Sequence, residues 1–387
     1  MSDDPTPDRV ASPSDDAAPT RVASPSDDTA PTRVASPSDD TAPVRVASPS
    51  DDDSPGREQS LDPSAFEEPI RGDAHWKSHF TKEELREILA LDDARSLRTL
   101  VVNWGLVFAS MALVGWHANP LTIVVALFVI GGRQLGCAIV MHEAAHRSFL
   151  SNRVWNDRIG NWLGAYPIWA EVEPYRRYHL VHHAKTGTDA DPDLSLTRPF
   201  PISRGSFARK VWRDLSGQTG WKQLVATARR DLGLGHRRTQ RNQGLRPGEK
   251  PDVGWHKLVP VVVTNAAILA VPAAFGRPAL YLLWPVALLT TYRLALRIRS
   301  IAEHALTGPA SDPLRNTRTT HVAWWERLFF APNFVNYHLE HHLLMTVPHY
   351  RLPKMHALLE ARGLLENACV TRGGYREVLA CAVGGGH

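Results

Sequence analysis

Four long apolar stretches follow one another in the central and C-terminal parts of the chain. The first two are Leu100–Trp116 and Leu121–Met141, and only four residues separate them. The other two are Leu258–Phe275 and Ala279–Leu296, with three residues between them. A helix crosses the roughly 30 Å hydrocarbon layer in about 20 residues, so these lengths predict four transmembrane helices.

The short connections predict that each pair of apolar stretches folds as a helical hairpin. Buried helices of a soluble core are the alternative, but four such runs would need more amphipathic covering than this chain supplies. We therefore expect an all-α integral membrane protein. Its four transmembrane helices would form two hairpins, and the polar segments would build a cytosolic helical cap.

Basic residues are distributed unevenly around the predicted helices. The segment 147–250 contains nineteen Lys and Arg residues, and the stretch after the fourth apolar run is also basic. The two short connectors together contain one Lys or Arg residue, Arg277. Because cytoplasmic loops carry an excess of Lys and Arg, we expect a multi-pass protein whose two termini and long middle segment are cytoplasmic.

The first 58 residues repeat a short polar unit. Arg-Val-Ala-Ser-Pro-Ser-Asp-Asp recurs with a period of 12 residues, starting at Arg9, Arg21, Arg33 and Arg45. A unit with one valine and a net negative charge cannot bury enough apolar surface to offset chain entropy, so a disordered acidic tail is expected. The predicted domains are this tail over 1–58, a cytosolic helical segment over 59–98 and a membrane domain over 99–387.

Composition narrows the possible partners. The 387-residue chain has only three cysteines, which excludes a disulfide scaffold and a thiolate-bound cluster. Its net charge is +4, and basic residues of the middle segment suit anionic lipid headgroups or an acidic protein partner. No nucleic-acid recognition motif accompanies them, so no nucleic-acid partner is expected.

Eight histidines occur in three short clusters, one of the form HxxxH and two of the form HxxHH. Imidazole is the commonest metal ligand, and spacings of three and four residues place side chains on one face of a helix. Zinc takes about three or four ligands, so eight nitrogens predict two adjacent metal ions. Imidazole suits iron, copper, zinc and nickel alike. The clustered residues are His142, His146, His179, His182, His183, His338, His341 and His342.

His304, just past the fourth apolar run, is a candidate ninth ligand. The predicted topology places it and all three clusters on the cytoplasmic side of the membrane, where they can converge. Glu143, Glu303 and Glu340 adjoin these histidines in sequence and can accept the second ring N–H. In the acidic run Asp189–Asp193, a loop turn is favoured over such a role. Histidines outside the clusters are expected to be solvated or hydrogen-bonded.

Two polar residues, Arg133 and Gln134, lie inside the second apolar run. A charge at membrane depth generally faces the protein interior, so they either serve the site or lock the bundle through interhelical hydrogen bonds. Aromatic residues after the first histidine cluster predict a segment at the membrane interface. They are Trp155, Trp162, Tyr166 and Trp169.

The three clusters resemble the histidine boxes of the membrane fatty acid desaturase family, which have the forms HxxxH, HxxHH and HxxHH. The matching runs are Met141–Arg147, Tyr175–His183 and Asn336–His342. The layout of two hairpins with the boxes on one side is similar as well. The resemblance covers roughly residues 99–360 and leaves the repeat tail outside.

The resemblance implies a non-haem di-iron centre held by the eight boxed histidines, with His304 as a further ligand. Family members use O₂ and two external electrons to remove hydrogen from an unactivated methylene, a step that needs a redox metal because no side chain can perform it. It also implies a fatty-acyl substrate carried on coenzyme A, a carrier protein or a lipid. The electron donor would be a separate ferredoxin or cytochrome b5, because the chain lacks a haem-binding His-Pro-Gly-Gly motif.

Three other functions are compatible with parts of this pattern. A membrane hydroxylase or ketolase of lipids shares the hydrogen abstraction with a desaturase. A zinc metalloprotease is suggested by His142-Glu143-x-x-His146 with Glu143 as general base, but it leaves six boxed histidines unexplained. The third is a non-catalytic membrane protein that binds lipid or metal.

Overall fold

The computed structural model describes residues 75–234 and 250–384, and these ranges are mostly helical. Two strands of two residues each, β1 (Thr319–Thr320) and β2 (Val370–Thr371), pair in parallel. The prediction of a mostly helical protein is confirmed. The repeat tail over 1–58 lies outside the described residues, so its predicted character and the domain boundaries stay predictions.

The helices are numbered in chain order. The N-terminal eight are α1 (His75–Ser78), α2 (Lys82–Leu89), α3 (Asp93–Trp116), α4 (Pro120–Ala145), α5 (Arg153–Ile159), α6 (Val172–Lys185), α7 (Leu194–Thr197) and α8 (Arg204–Leu215). The C-terminal eight are α9 (Gln218–Asp231), α10 (Val259–Ala274), α11 (Leu283–Leu289), α12 (Thr291–His304), α13 (Trp324–Phe329), α14 (His338–Leu343), α15 (Leu352–Ala361) and α16 (Gly374–Ala382).

Four helical stretches are long and apolar enough to cross a membrane, and each overlaps one of the four apolar runs of the sequence. They are Lys82–Trp116, Pro120–Ala145, Trp255–Ala274 and Pro278–His304. The prediction of four candidate transmembrane helices is therefore confirmed by length and composition.

α4 is the central helix of the fold. It begins sharply because the Asn119 side chain accepts hydrogen bonds from the Leu121 and Thr122 N–H groups, and Pro120 occupies the first turn. Apolar side chains of its first turns, such as Leu121 and Val124, are exposed. From Val129 onward every residue of α4 is buried, because α3, α6, α11, α12 and α13 pack around it. The helix therefore has an outward-facing half and a fully enclosed half that ends at the first histidine cluster.

The fourth apolar run is interrupted, whereas the sequence predicted one continuous helix. α11 and α12 are separated at Thr290, whose φ of −119° and ψ of −88° are not helical. The Thr290 hydroxyl donates to the Val286 carbonyl at 2.7 Å, and the Thr291 hydroxyl donates to the Leu127 carbonyl of α4 at 2.6 Å. Hydroxyls that bond to backbone carbonyls commonly bend helices, and this bend brings α12 close to α4.

The predicted interfacial aromatic segment follows α5 and is partly exposed. A π-helical turn over Gly160–Ala165 packs closely on α4, where a methyl group at Gly164 would lie 3.0 Å from the Cys137 carbonyl oxygen. Trp155 and Trp162 are exposed, in agreement with an interfacial position. Trp169 instead donates its indole N–H to Asp231 at 3.0 Å and joins this segment to α9.

Candidate metal centre

The nine predicted ligands meet in space, although four separate helices supply them. They form two groups, and in each group the potential donor atoms all lie within 4.8 Å of one another. We call them the five-histidine group, which comprises His142, His146, His179, His183 and His341, and the four-histidine group, which comprises His182, His304, His338 and His342. His304, which lies outside the three clusters in sequence, is thus brought to the same place as the boxed histidines.

Helix geometry decides which group each histidine joins. On α6, His179 and His183 are four residues apart and enter the five-histidine group, whereas His182 enters the other group. On α14 the arrangement is reversed. His338 and His342, four residues apart, belong to the four-histidine group, whereas His341 belongs to the five-histidine group. Since residues four apart share a helix face, each HxxHH box divides its ligands between both groups.

The nitrogen atoms of these imidazoles are arranged as metal ligands would be. Nε2 atoms face one another in three pairs: His179 and His183 at 3.0 Å, His183 and His341 at 3.1 Å, and His304 and His338 at 2.9 Å. Nε2 of His142 and both ring nitrogens of His146 are buried without any hydrogen-bond partner. Buried polar atoms are nearly always paired, so converging nitrogens left without protein donors fit a bound cation.

Burial also holds these imidazoles in the form that binds metal. Loss of hydration, reinforced by neighbouring imidazoles, lowers the pKa of each residue in this set well below the ordinary histidine value: His146, His179, His183, His338, His341 and His342. A neutral imidazole offers a free lone pair, whereas an imidazolium cannot bind a cation. The donor set of nine imidazoles suits iron, copper, zinc or nickel rather than magnesium or calcium.

Carboxylates orient some of these imidazoles from behind. Asp191 lies 2.8 Å from Nδ1 of His182, and Glu303 lies 3.6 Å from Nδ1 of His338 while it also accepts from Arg299 at 2.7 Å. Asp191 therefore contacts a candidate ligand, whereas the sequence favoured a simple loop turn. A carboxylate on one ring nitrogen fixes the tautomer and turns the other nitrogen toward the metal.

The three glutamates next to the boxes behave differently from one another. Glu143 lies 3.4 Å from Nδ1 of His142, as the sequence suggested. Glu340 instead faces away from the candidate ligands and bonds to Nδ1 of His356 at 2.6 Å and to the Thr319 hydroxyl at 2.5 Å. Glu340 therefore connects α14 to α15 and β1 rather than orienting a ligand.

Several residues that position the site have no recognisable sequence signal. Arg176 donates to the carbonyl oxygens of Ala144 and Ala145 at 3.0 and 2.8 Å and thereby ties α6 to the end of α4. The Tyr175 ring stacks on His179 with the ring centroids 5.1 Å apart. His349 donates its backbone N–H to Glu143 at 2.8 Å. Their proximity to the boxes in sequence, for Tyr175 and Arg176, was the only available indication.

Arg133 and Gln134 lock the bundle. The Arg133 guanidinium donates to the Leu328 carbonyl of α13 at 2.6 Å, and the Gln134 amide donates to the Trp284 carbonyl of α11 at 2.8 Å. Both side chains are buried. Of the two roles considered from the sequence, interhelical hydrogen bonding is the one that these contacts display.

Comparison with known proteins agrees with this arrangement. Residues 115–372 match the fatty acid desaturase family. The chain is 27% identical to a dihydrorhizobitoxine desaturase of Bradyrhizobium elkanii over 62% of its own length and 67% of that protein. It is 27% identical to a β-carotene ketolase of a Paracoccus species over 61% of its length and 80% of the ketolase.

A third similarity is shorter. The chain is 30% identical to a chloroplastic omega-6 fatty acid desaturase of Glycine max over 110 residues, which are 26% of this chain and 23% of that protein. The family match spans more than half of the chain and contains all nine histidines of the two groups. The chain therefore belongs to the fatty acid desaturase family, a family of oxidoreductases.

Proposed function

We propose that this protein is an O₂-dependent fatty-acyl desaturase that introduces a double bond into an acyl chain at a histidine-ligated di-iron centre. The observation that carries the proposal is the convergence of nine imidazoles, six buried and three half-buried, into two groups. Two groups of five and four nitrogens fit two metal ions, and each exceeds the three-ligand sites of hydrolytic zinc enzymes. The two irons would be held by His142, His146, His179, His182, His183, His304, His338, His341 and His342.

Iron bound there would supply the one-electron and oxygen chemistry that amino-acid side chains lack. The chain's own residues prepare the site for it. Asp191 fixes the orientation of His182 through a hydrogen bond, while Glu143 and Glu303 place carboxylates near Nδ1 of His142 and His338. Burial of the ring nitrogens limits the access of water to the centre. No residue of this set needs to act as a nucleophile. These residues hold nine nitrogen lone pairs at fixed positions, because their side chains project from α4, α6, α12 and α14 or from the residue directly after α4.

The overall reaction sets the requirements for substrates and partners. Removal of two hydrogens from an acyl chain with reduction of O₂ to two waters consumes two external electrons and two protons. We infer a separate ferredoxin- or cytochrome b5-type donor, and an acyl chain borne by coenzyme A, a carrier protein or a lipid. The substrate class is supported by family membership and by the desaturase names among the relatives.

We also propose the topology that the charge distribution predicts. The two pairs of candidate spans would form hairpins, with both termini, the polar middle segment and the metal centre on the cytoplasmic face. The contact between α3 and α4, joined by three residues, supports the first hairpin. The convergence of every candidate ligand at one end of α4 is consistent with a centre on a single side of the membrane.

A lipid hydroxylase or ketolase is the second candidate function. It is favoured by the β-carotene ketolases among the relatives, one of which is covered over 90% of its length. Hydrogen abstraction is common to both reactions, so the metal centre alone does not distinguish them. A zinc metalloprotease is a remote third possibility, because His142 and His146 lie in a group of five histidines rather than three.

Lipid analysis after expression tests the proposal. The full chain and a His142→Ala variant would be expressed in cells that supply an electron donor, and total lipids would be compared by mass spectrometry. We expect acyl chains that are lighter by two mass units in cells with the unmodified protein, and none in cells with the His142→Ala variant. Products heavier by one oxygen atom would indicate a hydroxylase rather than a desaturase. One zinc ion and no iron in the purified protein would favour the protease.

A further inference from the structure

One loop leaves the metal centre and returns to it. Residues 321–337 connect β1 to α14, and the two ends are close together because the Thr320 N–H donates to the Asn336 carbonyl at 3.0 Å. The Thr319 hydroxyl, just before the loop, bonds to Glu340 of α14. Both ends of the loop are therefore fixed beside the third histidine box, and the loop between them contains α13.

The far end of this loop packs against the middle of α4. Phe329 contacts Phe128 edge-on, with the ring centroids 6.4 Å apart. A methyl group at Gly132 would lie only 2.6 Å from the Leu328 carbonyl oxygen, so the close approach requires glycine there. Gly132 precedes His142 by ten residues, which is about 15 Å along the helix axis. The tip of the loop thus contacts α4 about 15 Å from the metal centre, towards the N-terminal end of the helix.

α4 also provides a measure of depth relative to the membrane. The interfacial aromatic segment touches α4 at Cys137 and Met141 through Gly164. The loop tip touches α4 at Phe128 and Gly132, one to three helical turns nearer to Pro120, where the helix begins. A hydrocarbon layer that starts at Pro120 ends about 20 residues later. The tip consequently contacts α4 near the middle of the hydrocarbon layer, and the rest of the loop connects it to the side of the histidines.

The side chains of the loop suit that position. Trp324 and Trp325 are 78% and 44% exposed, and Leu328, Phe329 and Phe330 are partly exposed. The charged and polar groups of the loop have contacts within the protein. Glu326 is buried and accepts the Ala323 and Tyr375 N–H groups, and the Arg327 guanidinium lies 4.8 Å from the Phe334 ring centroid. The Arg133 guanidinium donates to the Leu328 carbonyl near the C-terminal end of α13, where it is favourable to the helix dipole.

The returning arm leads from the tip to the metal centre. Asn333 donates to the Gly136 carbonyl of α4 at 3.3 Å, and Val335 lines a narrow cleft with Ile139, His142 and His341. Asn333 and Phe334 have positive φ values of 55° and 58°, which are unfavourable for residues other than glycine. Strained backbone of this kind persists where packing imposes it, often at ligand-binding sites.

We propose that residues 321–337 form a re-entrant loop in the leaflet nearer the histidines, and that the acyl chain enters the cleft beside His142 along this loop from the bilayer. The second half of this inference rests on the proposed function and narrows it, because the substrate is then an acyl chain resident in the membrane rather than one delivered in water by a soluble carrier. A bilayer chain would follow the apolar residues from Leu328 to Val335.

Spin labelling measures the depth of the loop without any assay of activity. A nitroxide would be attached to Leu328→Cys in a background with Cys369 and Cys381 replaced by serine, in the full chain reconstituted into phosphatidylcholine vesicles. Glu366→Cys, on the exposed surface beyond α15, is the matched control. We expect the label at 328 to collide with O₂ and to be shielded from a water-soluble nickel chelate, with the opposite result at 366. Ready access of the chelate to position 328 would overturn the re-entrant loop.

The entry route is tested with three forms of one acyl chain. The purified protein, supplied with a reducing system, would receive the chain esterified in the phospholipid of its vesicles, attached to acyl-carrier protein or attached to coenzyme A. At least tenfold more product is expected from the phospholipid. Product from the carrier protein alone would overturn entry from the bilayer. Product only from the same chain on coenzyme A would likewise overturn entry from the bilayer. Absence of product from all three forms would contradict the proposed function, while the labelling result would still decide where the loop lies.

Discussion

The two histidine groups are neighbours, but they are supported differently. In the four-histidine group, Asp191 lies 2.8 Å from His182, and Glu303 approaches His338 at 3.6 Å. In the five-histidine group, among the described residues, only His142 has a carboxylate within 4 Å of a ring nitrogen, at 3.4 Å. That carboxylate, on Glu143, also accepts the His349 N–H and lies 3.3 Å from the Ser148 hydroxyl. The smaller group therefore has more carboxylates per imidazole, although Glu303 is also paired with Arg299.

This difference indicates how each group would hold a metal ion. Negative charge behind an imidazole raises its basicity and strengthens the metal–nitrogen bond. The five-histidine group compensates with one more nitrogen and with aromatic packing, since Tyr175 stacks on His179. We expect the metal affinity of the four-histidine group to depend on its carboxylates. The metal affinity of the five-histidine group should depend more on its number of nitrogen ligands.

The largest effect is expected from loss of a ligand. His182→Ala removes one of only four nitrogens and leaves Asp191 buried without its partner. Activity should fall by more than about 100-fold, the upper range for losses of supporting residues alone. Product yield and iron per chain measure it. His256→Ala, at an exposed histidine paired with Asp252, should leave both unchanged. Wild-type product yield from His182→Ala would remove this residue from the metal centre.

Asp191→Asn should come next. The amide keeps the shape but loses the charge behind His182, and loss of such support typically costs about 10- to 100-fold in metal affinity or activity. Iron retained after dialysis against a chelator measures the change. Asp189→Asn is the matched control, because Asp189 is exposed and pairs only with Arg198 at the surface. Equal iron retention in the two variants would contradict a supporting role for Asp191.

Glu143→Gln tests the five-histidine group in the same way and should have a smaller effect. The glutamine can still accept from the His349 and Ser148 groups, and five nitrogens remain. We expect a loss of iron affinity of about tenfold or less, at the lower end of the range for such supports. The same dialysis assay applies. A greater loss than in Asp191→Asn would reverse the proposed difference between the groups.

Gly132→Ala addresses a feature common to both groups, the loop that leads into α14. A methyl group there would meet the Leu328 carbonyl at 2.6 Å, so overpacking should destabilise the fold by about 1–3 kcal/mol. The thermal midpoint in detergent measures this loss. Gly105→Ala is the control, because nothing lies within 4 Å of the added group, and alanine favours helix. A midpoint for Gly132→Ala at or above that of the control would contradict the close packing.

Much of the architecture could be predicted because it depends on local pattern. Runs of about 20 apolar residues dictate helices that satisfy their own backbone hydrogen bonds, so the four spans were recognisable. The break at Thr290 was not, because it depends on where the Thr291 hydroxyl meets α4. Asp191 lies in the predicted loop turn, but its additional role beside a histidine could not be established from the sequence for a similar reason. Its contact with His182 exists only when the loop after α6 folds back.

The sequence by itself determined which atoms are available for chemistry: eight boxed histidines and His304, spaced so that imidazoles project from helix faces. Only the tertiary structure decided how they are shared, with five in one group and four in the other. It also decided that Glu340 supports a helix while Asp191 supports a candidate ligand. The physical reason is the distance along the chain over which each interaction acts. Helical spacing is set by neighbours in the chain, whereas the partner of each nitrogen is set by packing between helices far apart in sequence.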